Sequence, residues 1–281
     1  MRRPTAPRGG RRVDLHVHTF FSDGVMAPEE VVARARERGL AAVAITDHDS
    51  LDGIERARVA ARNAVEVVPG IEISTQEGGL DLHLLGYFVD GSDPALLARL
   101  ARFREERIER ARAIAWRLAA LGAAVDVDEV LVRARPGVVG RPHLAEALVR
   151  AGHVGSVDDA FRRFLGARAQ AFVPRPAFRP DEAIAMIHAA GGVSVLAHPG
   201  NALSDARVAK LAARGLRGIE VWHPQHGAPL VRHYRALATR LGLIATGGSD
   251  FHAPGRTFDL GDLPVPAGVL TRLKQAAGVA G

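Results

Sequence analysis

The 281-residue chain contains no cysteine. Disulfides, thiolate metal sites, iron–sulfur clusters and thiol nucleophiles are therefore excluded. Lysine is confined to Lys210 and Lys274, so 35 of the 37 basic residues are arginine. That bias fits GC-rich coding and carries little functional weight alone. Aromatic residues make up only 5% of the chain, too few for an extended base-stacking track. No stretch approaches the roughly 18 apolar residues of a membrane span. The opening MRRPTAPRGGRR leads into no apolar segment, so it does not read as a signal peptide. A soluble, cytoplasmic protein is expected, with no membrane role and no obligate protein partner.

Histidine, by contrast, is plentiful at 12 residues, and 47% of the chain is hydrophobic. Without cysteine, imidazole and carboxylate are the strong metal ligands that remain. The formal charge of +6 is unevenly spread. Residues 1–12 carry five arginines and no acid, and read as a disordered basic tail. Residues 99–179 carry sixteen arginines against nine acids, whereas the remainder is acidic.

Short apolar runs alternate with amphipathic ones, which predicts an α/β fold with a parallel sheet and crossover helices. Strands are expected at Val13–Val17, Leu40–Ile45, Val65–Val68, Ile71–Ser74, Leu82–Phe88, Val193–Ala197, Gly218–Trp222 and Leu243–Thr246. Pro94 opens a long helix to about Leu121, and short helices follow near Val127–Arg133, Pro142–Arg150 and Val157–Leu165. The chain is thus divided into barrel segments 13–98 and 180–281, separated by a helical insertion, 99–179, that caps the strand ends. Closure into a barrel is suggested because polar residues follow almost every strand, where barrel active sites lie.

Those polar residues form a pattern. His16 and His18 are two apart on a strand and face one side, as a chelating pair would. Asp250 and His252 repeat the spacing. His48, Glu72, His83 and His198 stand at or near other strand ends, and Asp23 follows the first. Packing explains so many polar groups poorly, since burying them without partners costs several kcal/mol.

The stretches DLHVHTFFSDG, ITDHDSLDGI, PGIEIS, LHLLGYFVD, VLAHPG, GIEVWHP and GGSDFHAPGR resemble the polymerase-and-histidinol-phosphatase (PHP) family of metal-dependent phosphoesterases. Within it, Asp23, the helical insertion and Gly140-Arg141-Pro142-His143 are most similar to the 3′,5′-nucleoside-bisphosphate phosphatases. The resemblance implies a distorted TIM-like barrel of seven β/α units with two or three divalent ions. It assigns His16, His18, Glu72 and Asp250 to the first ion. Glu72, His83 and His198 go to the second, with Glu72 bridging, and Asp23, His48 and His252 to the third. Mn²⁺ is implied most often, while the ligand types also suit Zn²⁺, Fe²⁺ or Mg²⁺.

The implied reaction removes the 3′-phosphate of a nucleoside 3′,5′-bisphosphate, leaving the 5′-monophosphate. Two metals about 3.5–4 Å apart can bridge a hydroxide nucleophile and offset charge on the phosphoryl oxygens. Arg141 is expected to clamp a phosphate, and His143 to contact phosphate or protonate the leaving oxygen. The partner is then a small nucleotide or, in the alternative reading, a short RNA cut by a 5′-to-3′ exoribonuclease. An amidohydrolase is the weaker third reading, because neither lysine lies where a bridging carbamate would need it. Asp47 is read as orienting a ligand histidine or capping a loop. His223 and His226 are read as loop residues, one of which borders the pocket. The arginine-rich helix 99–117 is read as a solvated face, and Arg256 as a surface residue within reach of phosphate.

Overall fold

The computed structural model describes residues 12–201, 203–255 and 258–279. The basic tail up to residue 11, and Arg256, lie outside the described residues. Arg12 begins the first strand, β1 (Arg12–Val17). Its guanidinium donates to the carbonyls of Gly261 and Arg38 at 2.8 and 2.9 Å.

Strands and helices then follow in near alternation. They are α1 (Pro28–Glu37), β2 (Leu40–Ile45), α2 (Ile54–Ala61), β3 (Glu66–Glu77) and β4 (Leu80–Tyr87). After the insertion come α7 (Pro180–Ala189), β5 (Val193–Leu196), α8 (Asp205–Ala213), β6 (Gly218–Trp222), α9 (Ala228–Leu241), β7 (Ile244–Gly247) and α10 (Gly268–Ala277). The helix bounds follow local chemistry. Pro28 sits at the first position of α1, the Glu30 carboxylate accepts the Ala27 N–H at 2.7 Å, and Gly39 leaves with φ +68°.

The seven strands form one sheet in sequential order. The sheet is mixed rather than parallel throughout, because β4 runs antiparallel to both β3 and β5. Only Gly78 and Gly79 join β3 to β4, both at positive φ. A two-residue connection makes a hairpin, whereas a parallel neighbour needs a crossover of a dozen or more residues. β3 is also one strand where two were expected. Its first half pairs with β2 as far as Pro69, and its second half extends past β2 along β4. This overhang carries Glu72.

The sheet's two edges, β1 and β7, meet. Beyond β7 the chain continues along β1, with Val17 paired to Phe251 and the His18 N–H donating to the Phe251 carbonyl at 2.9 Å. Fully buried Asp14 secures this seam by accepting the backbone N–H of Ser249 at 2.9 Å and of Gly261 at 2.6 Å. Inside, Val13, Leu15, Ala44, Leu85 and Val195 pack with Leu270 and Leu273 of α10. Outside, Val31, Val32 and Ile54 of α1 and α2 cover Ile45.

The insertion is helical, with α3 (Pro94–Ala120), α4 (Val127–Arg133), α5 (Arg141–Arg150) and α6 (Val157–Ala160). The last expected helix is not α-helical throughout, since Phe161–Leu165 continue α6 as a π-helical turn. The start of α3 packs Leu96, Leu100 and Phe103 into the core that holds Ile71 and Ile184. Further along, Ala111, Ile114 and Leu118 build a separate core with Leu144 and Leu148. The expected boundary at residue 99 therefore falls inside a helix shared by both cores.

One glycine controls the closure. A Cβ on Gly248 would lie 2.3 Å from the His16 backbone nitrogen, and neither backbone can yield without opening the seam. Gly248→Ala is expected to cost about 1–3 kcal/mol of stability, measured by chemical denaturation.

Candidate metal centre

The candidate ligands come together at the end of the barrel where β1 meets the chain beyond β7. His16 and His18 leave β1 on the same side, with their Nε2 atoms 3.1 Å apart. His48, just after β2, is locked beside Glu72 by backbone hydrogen bonds. The Asp49 N–H donates to the Glu72 carbonyl at 2.9 Å, and the Glu72 N–H to the Asp47 carbonyl at 3.1 Å. His83 reaches the same end because β4 is antiparallel, so its beginning lies where its neighbours finish. His198 and Asp250 follow β5 and β7 with φ of +23° and +47°. Non-glycine residues rarely adopt this left-handed region, and such outliers cluster at functional sites.

Glu72 is the hub. Its Oε2 lies 3.3 Å from His16, 3.2 Å from His18 and 3.0 Å from His48. Its Oε1 lies 2.8 Å from His83 and 3.0 Å from His198. Asp250 Oδ1 stands 3.4 and 3.2 Å from the Nε2 atoms of His16 and His18. On the far side, Asp23 faces His252 at 3.3 Å and His48 at 3.9 Å. Three ligand groups result, namely His16–His18–Glu72, His48–Glu72–His83 and His18–Asp23–His48–His252. All nine side chains singled out in the sequence meet in this one constellation.

The donor set fits divalent cations. Buried Glu72 Oε2, Asp23 Oδ1, His48 Nδ1 and His83 Nδ1 have no hydrogen-bond partner among the described residues, although other ligand atoms crowd around them. Lone pairs converging on a shared point rather than on a donor are what coordination requires. Oxygen and nitrogen atoms alone make up the set, which suits the harder first-row ions and Mg²⁺ without selecting one.

The electrostatics agree. Burial alone would raise Glu72, yet His48, His83 and His16 hold it well below the usual carboxylate range. Asp250 and Asp23 are likewise held well below theirs against burial, chiefly by His16 and by His252, respectively. Burial opposes charge on His16 and His18, but the carboxylates dominate, raising His16 well above its ordinary value and His18 to about 10. Burial instead lowers His48 to about 3 and also lowers His83.

Of the two roles read for Asp47, loop capping is the one seen, and among the described residues it reaches a histidine only through Ser22. It accepts the Thr19 N–H, the Thr19 hydroxyl and the Ser22 hydroxyl, each at 2.7 Å, and Ser22 Oγ in turn lies 3.2 Å from His18 Nδ1. His223 and His226 lie in a loop as read, and His223 borders a cleft, but both side chains are buried. His226 spans Val221 and Gly200, whereas His223 meets Asp250 at 3.3 Å. Glu220, to which the sequence reading gave no role, lies 3.1 Å from His16 Nδ1.

The arginine-rich helix is not simply a solvated face. Arg107 and Arg110 of α3 are buried. Arg107 grips Asp49 at 2.8 and 2.5 Å and donates to the Val139 carbonyl at 3.2 Å, tying the insertion to the barrel. Arg110 Nη2 and Arg175 Nε are buried without hydrogen-bond partners among the described residues. Burial, compounded by repulsion from neighbouring arginines, pulls Arg110 down to about 9 and Arg175 to about 10. Arg141 meets Asp81 at 3.5 Å. His143 Nδ1 accepts the Gly140 N–H at 3.0 Å, which leaves its proton on Nε2. Burial lowers His143, which favours its neutral form.

A cavity of about 110 Å³ is lined by residues of both regions, Asp23, His48 and His83 together with Arg107, Arg141 and Arg175. A wider cleft of about 690 Å³ continues past Phe161, His223, Asp250 and His252. A larger groove of about 900 Å³, beside Arg36, Arg58 and Glu66, includes no candidate ligand.

Comparison with known proteins agrees with this geometry. Residues 14–129 match the PHP domain model. The chain is 37% identical to a 3′,5′-nucleoside bisphosphate phosphatase of Chromobacterium violaceum, over 86% of this chain and 88% of that one. It is also 37% identical to the 5′-3′ exoribonuclease Rnm of Escherichia coli, over 91% and 90%. The fold superposes with a TM-score of 0.89 and 32% identity on a Bifidobacterium adolescentis protein provisionally assigned as a metal-dependent phosphoesterase, covering 97% and 98% of the two chains.

Since His16 and His18 must give up protons to coordinate, cation uptake is expected to release protons and weaken as pH falls. Calorimetric Mn²⁺ titrations in buffers of different ionisation enthalpy measure that release. Proton-free uptake with the same affinity at pH 6 and pH 8 would contradict the ligand assignment.

Proposed function

This chain belongs to the PHP family of metal-dependent phosphoesterases, and from that premise we propose that it removes the 3′-phosphate of nucleoside 3′,5′-bisphosphates. The products are the 5′-monophosphate and inorganic phosphate. The observation that carries this reading is a cavity lined both by candidate ligands and by three arginines. Such a cavity offers two stations for two phosphates on one small molecule.

In this reading His16, His18, Asp23, His48, Glu72, His83, His198, Asp250 and His252 hold the cations. Bound there, divalent ions neutralise phosphoryl oxygens and acidify water near pH 7. The polypeptide does the rest. Arg141, Arg107 and Arg175 bind the phosphate that does not react. Their own acids, Asp49 and Asp81, leave the cluster with surplus positive charge even before Arg110 is added. A planar guanidinium matches two phosphate oxygens at once. His143 presents Nε2–H as a neutral donor that can hydrogen-bond a phosphate oxygen; with Nδ1 occupied by the Gly140 N–H, giving up that proton would leave an imidazolate, so the acid role expected for it is not part of this reading.

The second reading, a 5′-to-3′ exoribonuclease on short RNA, draws on the wider cleft beside Asp250 and His252. None of the three arginines lines that space, which gives a longer chain somewhere to lie. The similarity to the Escherichia coli exoribonuclease supports it equally.

Purified protein with Mn²⁺ is expected to release phosphate from adenosine 3′,5′-bisphosphate. Shortening of RNA oligomers with no such release would overturn the first reading in favour of the second. Arg141→Ala is expected to lower kcat/KM for the bisphosphate by roughly 10–100-fold, the loss of a charge-assisted contact worth about 1.5–3 kcal/mol. Hydrolysis of a simple aryl phosphate should fall far less.

A further inference from the structure

Strand β6 carries none of the nine candidate ligands, yet it places two ionisable side chains against them. Glu220 has no exposed surface. Both of its oxygens lie 3.1 Å from His16 Nδ1, and Oε2 also accepts the His198 backbone N–H at 2.8 Å. No arginine or lysine pairs with it among the described residues. Just beyond the strand, His223 is 2% exposed. Its Nδ1 accepts the Gln225 N–H at 3.2 Å, and its Nε2 faces Asp250 Oδ2 at 3.3 Å.

We propose that β6 positions the first cation group from behind, Glu220 by orienting His16 and His223 by orienting Asp250. The geometry fixes both roles. An ionised carboxylate can only accept a hydrogen bond, so His16 Nδ1 carries a proton. Nε2 is then the nitrogen offered to a cation, and it points at Glu72 Oε2 and Asp250 Oδ1. Glu220 itself lies against the opposite edge of the ring and is not a ligand. The logic for His223 is the mirror image. With Nδ1 occupied by the Gln225 N–H, its proton sits on Nε2 and is donated to Asp250 Oδ2. Asp250 is thereby held with Oδ1 turned toward His16 and His18.

Two ligands from different strands, β1 and the end of β7, are thus aligned by one strand that touches both. The backbone bond from His198 to Glu220 extends the alignment toward the second group. Partners of this kind fix ring orientation and ligand basicity, and losing one typically costs 10–100-fold in metal affinity.

The inference rests on the site binding cations and not on the identity of the substrate. Its test is Mn²⁺ titration of the full chain, comparing wild type with Glu220→Gln and His223→Gln. The melting temperature of each protein is measured in EDTA alongside. Each variant is expected to bind the tightest Mn²⁺ 10–100-fold more weakly. In a His16→Asn background, Glu220→Gln should add little further loss, because its effect passes through His16. A folded Glu220→Gln protein with affinity within twofold of wild type overturns the proposal, as do strictly additive losses with His16→Asn. A drop in melting temperature without a change in affinity would reduce Glu220 to a structural role. If Glu220→Gln does not fold, His223→Gln decides by the same criterion. If wild type itself binds no Mn²⁺, the cation-site reading fails rather than the positioning argument alone.

Discussion

A carboxylate with no exposed surface, surrounded by five imidazole nitrogens within 3.3 Å, is the constraint on which the rest of this molecule depends. Burying the charge of Glu72 is expensive unless it is neutralised locally. Imidazoles can do so only in part, because two of the five are themselves driven toward the neutral form by burial. Divalent cations resolve the imbalance, and the fold is arranged to receive them. The overhang of β3 carries Glu72 beyond β2, the antiparallel β4 brings His83 alongside, and the closing seam brings Asp250 and His252 to β1.

Charge is divided between the two parts of the chain along the same line. The barrel concentrates acids where cations belong. The insertion brings arginines inward, where burial first and then neighbouring arginines lower the pKa of Arg110, Arg141 and Arg175, an arrangement that favours an anion nearby. Arg107 joins the two parts, since its partner Asp49 follows His48 directly and also accepts the Ser74 N–H at 3.0 Å on β3. On the proposed function, the element that would meet substrate charge is therefore tied to the strands that carry the candidate ligands.

Much of this was legible in the sequence. The spacing of His16 and His18, and of Asp250 and His252, is local, and strand geometry converts it directly into shared facing. The glycine pair at 78–79 was an equally local hairpin signal, masked by the prevailing strand–helix alternation. The orienting roles of Glu220 and His223 were not legible in the same way. Their partners lie 204 and 27 residues away, and only the closed barrel brings them together. The buried arginines were hidden for a different reason. Arginines three or four apart on a helix look like a solvated stripe, and the docking of α3 against β3 and the 172–179 segment turns that stripe inward.

The central claim is that Glu72 is shared between cations. Anomalous scattering from crystals grown with Mn²⁺ tests it most directly. The account predicts at least two peaks, one on the His16–His18–Asp250 side of Glu72 and one on the His83–His198 side, each within coordination distance of a Glu72 oxygen. A single peak, or peaks that leave Glu72 uncoordinated, would contradict it.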